Sequence, residues 1–150
     1  MLLIDTALIV QHVRQLAQAN PVDEPVYLFD KHTRATQSRR VVPSDFVILE
    51  GLFTLHHPEV RNLLKASVFV KTPDEECYRR RLVRDIAERG RTEECVRKQY
   101  ESTVRPMAEA FVLPTRIHAH LTIAGDQPLD DALAILRDFV LPSRRLAASA

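Results

Sequence analysis

The chain has 150 residues, of which 45% are apolar and 27% charged, and its net charge is +1. That balance fits one folded domain, excludes intrinsic disorder, and gives no general reason for a polyanionic partner. The apolar runs are too short to cross a bilayer, Met1-Leu2-Leu3-Ile4 meets Asp5 without the layout of a signal peptide, and Cys77 and Cys95 lack metal-ligand spacing; a cytoplasmic protein with reduced thiols and no membrane partner is expected.

Residues 6 to 19 place Leu8, Ile9, Val13 and Leu16 at helical spacing, with Asp5 or Thr6 as N-cap and Asn20-Pro21 as the stop. Val22 to Arg40 is mixed and polar, and Pro25 excludes a central strand, so a short hairpin or loop is predicted. Ser44 to Phe53 contains FVILEGLF, an apolar run bounded by proline and glycine, which suits a buried parallel strand ending near Glu50. His57 to Leu64 reads as a short helix and Ala66 to Thr72 as a second buried strand. Asp74 caps a helix to about Glu88, and Thr92-Glu93-Glu94 opens another to about Phe111. Leu121 to Ile123 is a third short strand, and Leu129 to Phe139 a closing helix. Strands alternating with helices indicate an α/β domain with a parallel sheet.

Glycine is scarce. A phosphate-cradling loop, GxxxxGK[ST], needs two glycines five apart followed by lysine. Gly51, Gly90 and Gly125 are the three glycines of the chain, and none has another five positions on. These residues therefore contain no Walker A loop.

Three groups of residues invite chemistry. YRRRLVRDIAERGRT, residues 78–92, holds six arginines. A solvated helix face explains part of it, through Arg81 with Asp85 and Arg84 with Glu88 at i,i+4. Arg89 and Arg91 flank Gly90, where the helix ends, and two guanidinium forks on a short turn suit a polyphosphate. Glu50-Gly51 at a strand end is either a place for Mg²⁺, directly or through water, or an ordinary strand-end acid with a turn glycine. Tyr27, His32 and Arg34 could stack on a base and bond its edge, or form an unremarkable loop. His56-His57 and His118/His120 lack companions at metal-ligand spacing and read as structural or surface residues.

In order along the chain, these segments resemble the uridine/cytidine kinase family, within the phosphoribulokinase and uridine kinase group. PVYLFDKHTR is similar to that family's P-x-Y-D-F-x-x-H-[ST]-R, and DFVILEGLF to its strand ending in E-G. SVFVKTPDEECYRRRLVRDIAERGRT is similar to F-V-D-T-x-x-D and the R-R-x-x-R-D-x-x-E-R-G-R lid. QYESTVRPMAEAFVLPTR is similar to Q-Y-x-x-x-V-x-P and the later P-T-[KR]. Leu28, Lys71 and His120 stand where the family pattern has aspartate.

The resemblance implies Mg²⁺-assisted, ATP- or GTP-dependent phosphorylation of the 5′-hydroxyl of uridine or cytidine, in pyrimidine salvage. It implies that Tyr27 and His32 contact the base, and that Arg81, Arg91 and Gln99 hold the nucleoside. It places Arg84, Arg89 and Arg91 among the catalytic lid arginines near the phosphates, and Glu50 near Mg²⁺. The family's first strand, Walker A loop and proton-accepting aspartate would precede residue 1. The expectation is a P-loop-kinase-like parallel sheet with helices and an Arg-rich lid, missing the first strand and P-loop. Residues 1–141 then cover roughly the carboxyl-terminal two-thirds of the family fold, with 142–150 a frayed tail. Such a truncated chain should transfer phosphate poorly or not at all, and could rearrange, dimerise or bind a separate amino-terminal piece to cover its sheet edges. The alternative is a non-catalytic nucleoside-binding or regulatory module derived from such a kinase. Acids interleaved with the arginines weigh against a nucleic-acid partner.

Overall fold

A computed structural model describes residues 5–28 and 33–141. The chain forms two compact units, divided between Lys65 and Ala66. Among the described residues no helix is long and apolar enough to cross a membrane. The expected tail, 142–150, lies outside the described residues.

In the first unit, helix α1 spans Thr6–Ala17. Asp5 caps it, its Oδ1 accepting the Leu8 N–H at 3.0 Å and so satisfying one of the amides that the first turn leaves unpaired. The helix closes before Asn20-Pro21. Ala19 takes φ 61°, and the Asn20 N–H returns to the Gln15 carbonyl at 2.9 Å, a left-handed stop normally given to glycine. Strands β1 (Val22–Leu28) and β2 (Thr33–Val41) form an antiparallel hairpin with an irregularity between Pro25 and Tyr27. Pro25 fits because each strand of a two-stranded ribbon has an open edge. Asp23 with Arg40 and Glu24 with Arg39 form cross-strand ion pairs on opposite faces of the hairpin. A one-turn helix, α2 (Pro58–Arg61), packs against α1. The buried apolar residues of this unit are Val22, Leu55 and Val60.

The segment from Ser44 to Phe53 corrects one expectation. It is irregular rather than a buried strand, and Ile48 is 89% exposed. An apolar run becomes a strand only when a neighbouring backbone accepts and donates along its length. No described strand pairs with this segment.

The second unit holds the parallel pairing. Strand β3 (Val68–Lys71) lies beside β4 (Leu121–Ala124), with Val68 opposite Leu121 and Lys71 opposite Ala124. Between them run α3 (Asp74–Arg89), α4 (Glu93–Gln99), a π turn (Tyr100–Val104), α5 (Arg105–Phe111) and a 3₁₀ turn (Leu113–His118), and α6 (Leu129–Val140) follows β4. Asp74 is the first residue of α3 rather than its cap, which is Pro73. Thr92 caps α4 as expected, its Oγ1 accepting the Cys95 N–H. The strands' buried apolar residues are Phe69 and Ile123, and those of the helices are Val96 and Tyr100. Beyond β4 the Gly125 N–H donates to the Lys71 carbonyl at 2.8 Å. A β-carbon there would stand 2.0 Å from Thr72 Oγ1, so only glycine allows the two strand ends to approach this closely.

Candidate anion-binding site

Helix α3 is mostly polar, yet one carboxylate in it, Asp85, has no exposed surface. A buried carboxylate must be compensated by opposite charge or by donors. Four arginines supply the charge, and Arg84 alone among them the hydrogen bond, to Oδ1. Arg84 donates from Nε at 3.0 Å and lies 2.9 Å away through Nη2. Arg89 Nη1 stands 3.2 Å from the same oxygen, Oδ1. Arg81 Nε and Arg91 Nη1 lie 3.5 and 3.6 Å from Oδ2. The expected Arg84–Glu88 pairing gives way to Arg84–Asp85, because the buried acid attracts a guanidinium more strongly than an exposed one does.

The chain reversal after α3 makes this convergence possible. Gly90 adopts φ 61°, and its N–H and that of Arg91 both turn back to the Asp85 carbonyl. Arg89 is thereby the last residue of the helix and Arg91 the second beyond it, with both side chains returned to the same acid. From α4, Gln99 Oε1 accepts from Arg81 Nη2 at 3.0 Å and from Arg91 Nη1 at 2.5 Å. An amide oxygen has two lone pairs, and both are used here.

Four positive charges against one negative leave an excess of three in this cluster. Burial pushes the Asp85 carboxyl up, while the Arg84 hydrogen bond and the charges of Arg81, Arg84 and Arg89 pull it down; the net direction is down, so the acid stays ionised. Arg81, the most buried of the four, is drawn below the usual arginine range, first by desolvation and then by its cationic neighbours, against the pull of Asp85. An uncompensated cationic cluster with guanidinium forks matches multiply charged phosphate oxygens.

Arg79 and Arg80 are spent elsewhere. Both grip Glu76, at 2.7 and 2.6 Å, and Arg80 Nη2 also donates to the Gly125 carbonyl at 3.0 Å. The start of α3 is tied down separately. The Tyr100 hydroxyl donates to Asp74 Oδ1 at 2.6 Å, and Asp74 Oδ2 holds Arg105 at 2.7 Å.

The structure thus brings together Arg81, Arg84, Arg89, Arg91 and Gln99 of the residues singled out in the sequence. Tyr27 lies on β1 of the first unit, opposite Arg34, which itself pairs with Asp5. Glu50 is exposed in the irregular segment of that unit. His32 lies outside the described residues. His120 is occupied at the foot of the parallel pair, its Nδ1 accepting the Ser67 N–H at 3.1 Å. Sequence reasoning took Asp85 only as a helix-face partner of Arg81; an acid set within a run of arginines was the available signal for a shared counter-ion.

The parallel β–α–β unit and its arginine-rich helix define an α/β protein with a cluster suited to anionic ligands. The model of the Phosphoribulokinase / Uridine kinase family matches residues 3–128. A protein of Shewanella amazonensis named uridine kinase is 44% identical over 120 residues, 80% of this chain and 57% of its own length. Namesakes from Vibrio cholerae and Tolumonas auensis are 42% and 43% identical, each over 56% of its length. The chain belongs to the phosphoribulokinase/uridine kinase family, and it spans just over half the length of these relatives.

Proposed function

We propose that this chain carries the nucleoside- and phosphate-facing part of a uridine kinase-type enzyme. The family reaction is NTP-dependent 5′-phosphorylation of uridine or cytidine. The observation that carries this reading is the convergence of Arg81, Arg84, Arg89, Arg91 and Gln99 around one buried carboxylate. Phosphoryl transfer depends mainly on positioning and on neutralising charge at the phosphates, which such a cluster supplies.

In this reading Arg84, Arg89 and Arg91 form the lid that meets the phosphates. Arg81, Arg91 and Gln99 hold the nucleoside, and Tyr27 and His32 recognise its base. Glu50 assists Mg²⁺. A single exposed carboxylate fits that ion, which commonly keeps its waters and binds through one or two carboxylates together with substrate phosphates. When bound, Mg²⁺ supplies charge neutralisation at the phosphate oxygens.

The 150 residues contain no GxxxxGK[ST] sequence. Turnover by these residues alone is therefore expected to be nearly abolished, and binding is the property to measure. Calorimetric titration with uridine and, separately, with ATP and Mg²⁺ tests the reading. Heat with uridine or cytidine, lost on Tyr27→Ala, supports the nucleoside assignment. No heat with either nucleoside from a folded chain refutes it.

A second reading, a nucleoside-binding module without catalysis, is favoured by the Arg81–Gln99–Arg91 arrangement, which these residues complete by themselves. Uridine binding with no ATP binding would select it.

A further inference from the structure

We propose that Asp85 is the positioning residue of the arginine cluster: its buried carboxylate gathers Arg81, Arg84, Arg89 and Arg91 so that their remaining N–H donors act together on a polyphosphate. The proposal rests on the phosphate-facing reading above and goes beyond it by assigning a role to a residue that touches no ligand.

The geometry divides the four arginines into two pairs. Arg81 and Arg91 are tied to both Asp85 and Gln99, and their side chains are 21% and 32% exposed. Arg84 and Arg89 reach only Asp85 Oδ1 among the described residues and are 43% and 42% exposed. A guanidinium carries five N–H donors, so Arg84 and Arg89 keep most of theirs for a ligand. The inner pair acts as a buttress, and the outer pair presents donors.

Without the carboxylate, four like charges would repel, and flexible side chains would separate into solvent. A ligand would then have to gather them at the moment of binding, and the ordering cost would weaken affinity. The backbone turn that carries Arg91 would survive, since it hangs on the Asp85 carbonyl rather than on the side chain. Asp85→Asn therefore separates counter-ion from backbone.

Net charge alone makes the opposite forecast, because removing a negative charge should tighten anion binding. The test uses the 150-residue chain and inorganic tripolyphosphate, read by calorimetry at fixed ionic strength. Asp85→Asn should weaken binding by about tenfold or more, as expected for losing the preorganisation of several charge-assisted donors. Glu109→Gln, which removes one negative charge on exposed α5, should leave affinity unchanged or slightly tighter.

A second readout starts from the wild type. In the free wild-type protein the Nε–H signals of Arg81, Arg84, Arg89 and Arg91 should stand apart from the averaged arginine signal in nitrogen-resolved NMR. In Asp85→Asn they should collapse toward it, and Asp85→Glu should partly restore them. Equal or tighter tripolyphosphate binding by a helical Asp85→Asn chain would overturn the proposal. So would averaged arginine signals in the wild type, which decides the matter even where the variant does not fold. Wild-type protein that ignores tripolyphosphate would refute the phosphate reading instead, and the two failures are read from separate measurements.

Discussion

Asp85 holds Arg91 twice, through Oδ2 at 3.6 Å from the guanidinium and through its backbone carbonyl, which accepts the Arg91 N–H at 3.2 Å. A residue six positions before another can do this only where the helix ends in a left-handed turn, which Gly90 provides at φ 61°. The one cluster arginine beyond the helix, Arg91, is thereby joined to those within it.

Not every arginine of α3 belongs to that cluster, and this gives a sharp comparison. Arg80 is engaged by Glu76 and by the Gly125 carbonyl, whereas Arg89 faces Asp85. Arg80→Ala should change tripolyphosphate affinity by less than about twofold. Arg89→Ala should weaken it by about tenfold, in line with one charge-assisted phosphate contact. Calorimetry on the two variants, matched for net charge, is the check; equal losses would show that only the sum of charge matters.

Glu76 defines an acid-sensitive anchor. Hydrogen bonds from Arg79 and then Arg80 hold its carboxyl at about 2, against an ordinary value of 4.5. The folded value is depressed, so the stabilisation is present above the unfolded value and is lost as pH falls through the folded one. Between pH 4.5 and 2 the wild type should therefore lose stability more steeply than Glu76→Gln, which has no such group to protonate. Denaturant melts across that range would show the difference, and parallel acid limbs would refute it.

Much of the element order was legible before the structure, because local chemistry decides it. Asp5 and Thr92 cap their helices through side-chain oxygens, and Leu8, Ile9, Val13 and Leu16 recur at helical spacing. Other features depend on partners that no local pattern reveals. FVILEGLF has the composition of a buried strand, but a strand is a property of a pair, and no described strand pairs with it. The π turn at Tyr100–Val104 precedes Pro106, whose ring lacks an N–H and would crowd the carbonyl four residues earlier in a regular helix. That proline lay in plain sight within a helical run. The role of Asp85 was hidden for a different reason: Arg91 meets it only after the chain has turned.

Tyr100 should prove a structural anchor rather than a ligand contact. Its phenol is pushed up, first by burial and then by the hydrogen bond to Asp74, and that bond is the main cause of the lowered Asp74 carboxyl. Tyr100→Phe keeps the ring beside Tyr78, 5.1 Å between centroids, and removes only the hydroxyl. The loss should be about 1–2 kcal/mol, the usual cost of deleting a partly buried hydrogen bond to a charged acceptor. In the same variant the Asp74 carboxyl should titrate closer to its ordinary 3.8, since Arg105 alone remains to hold it down. Thermal melts and carboxyl-carbon NMR read the two effects independently.

Gly125 offers a steric test of the parallel strand pair. A β-carbon added there would meet Thr72 Oγ1 at 2.0 Å and Val70 Cγ1 at 2.9 Å, distances that force a shift of one strand end against the other. Overpacking of this kind typically costs about 1–3 kcal/mol, and here it also threatens the Gly125 N–H bond to the Lys71 carbonyl. Gly125→Ala should therefore lower the melting temperature clearly. Thr72→Ala in the same chain should recover part of the loss, because it removes the nearer obstruction and leaves the Val70 methyl in place. A double variant no more stable than Gly125→Ala alone would mean that the clash is not with Thr72. In that case the close approach of β3 and β4 at their carboxyl ends would need another explanation.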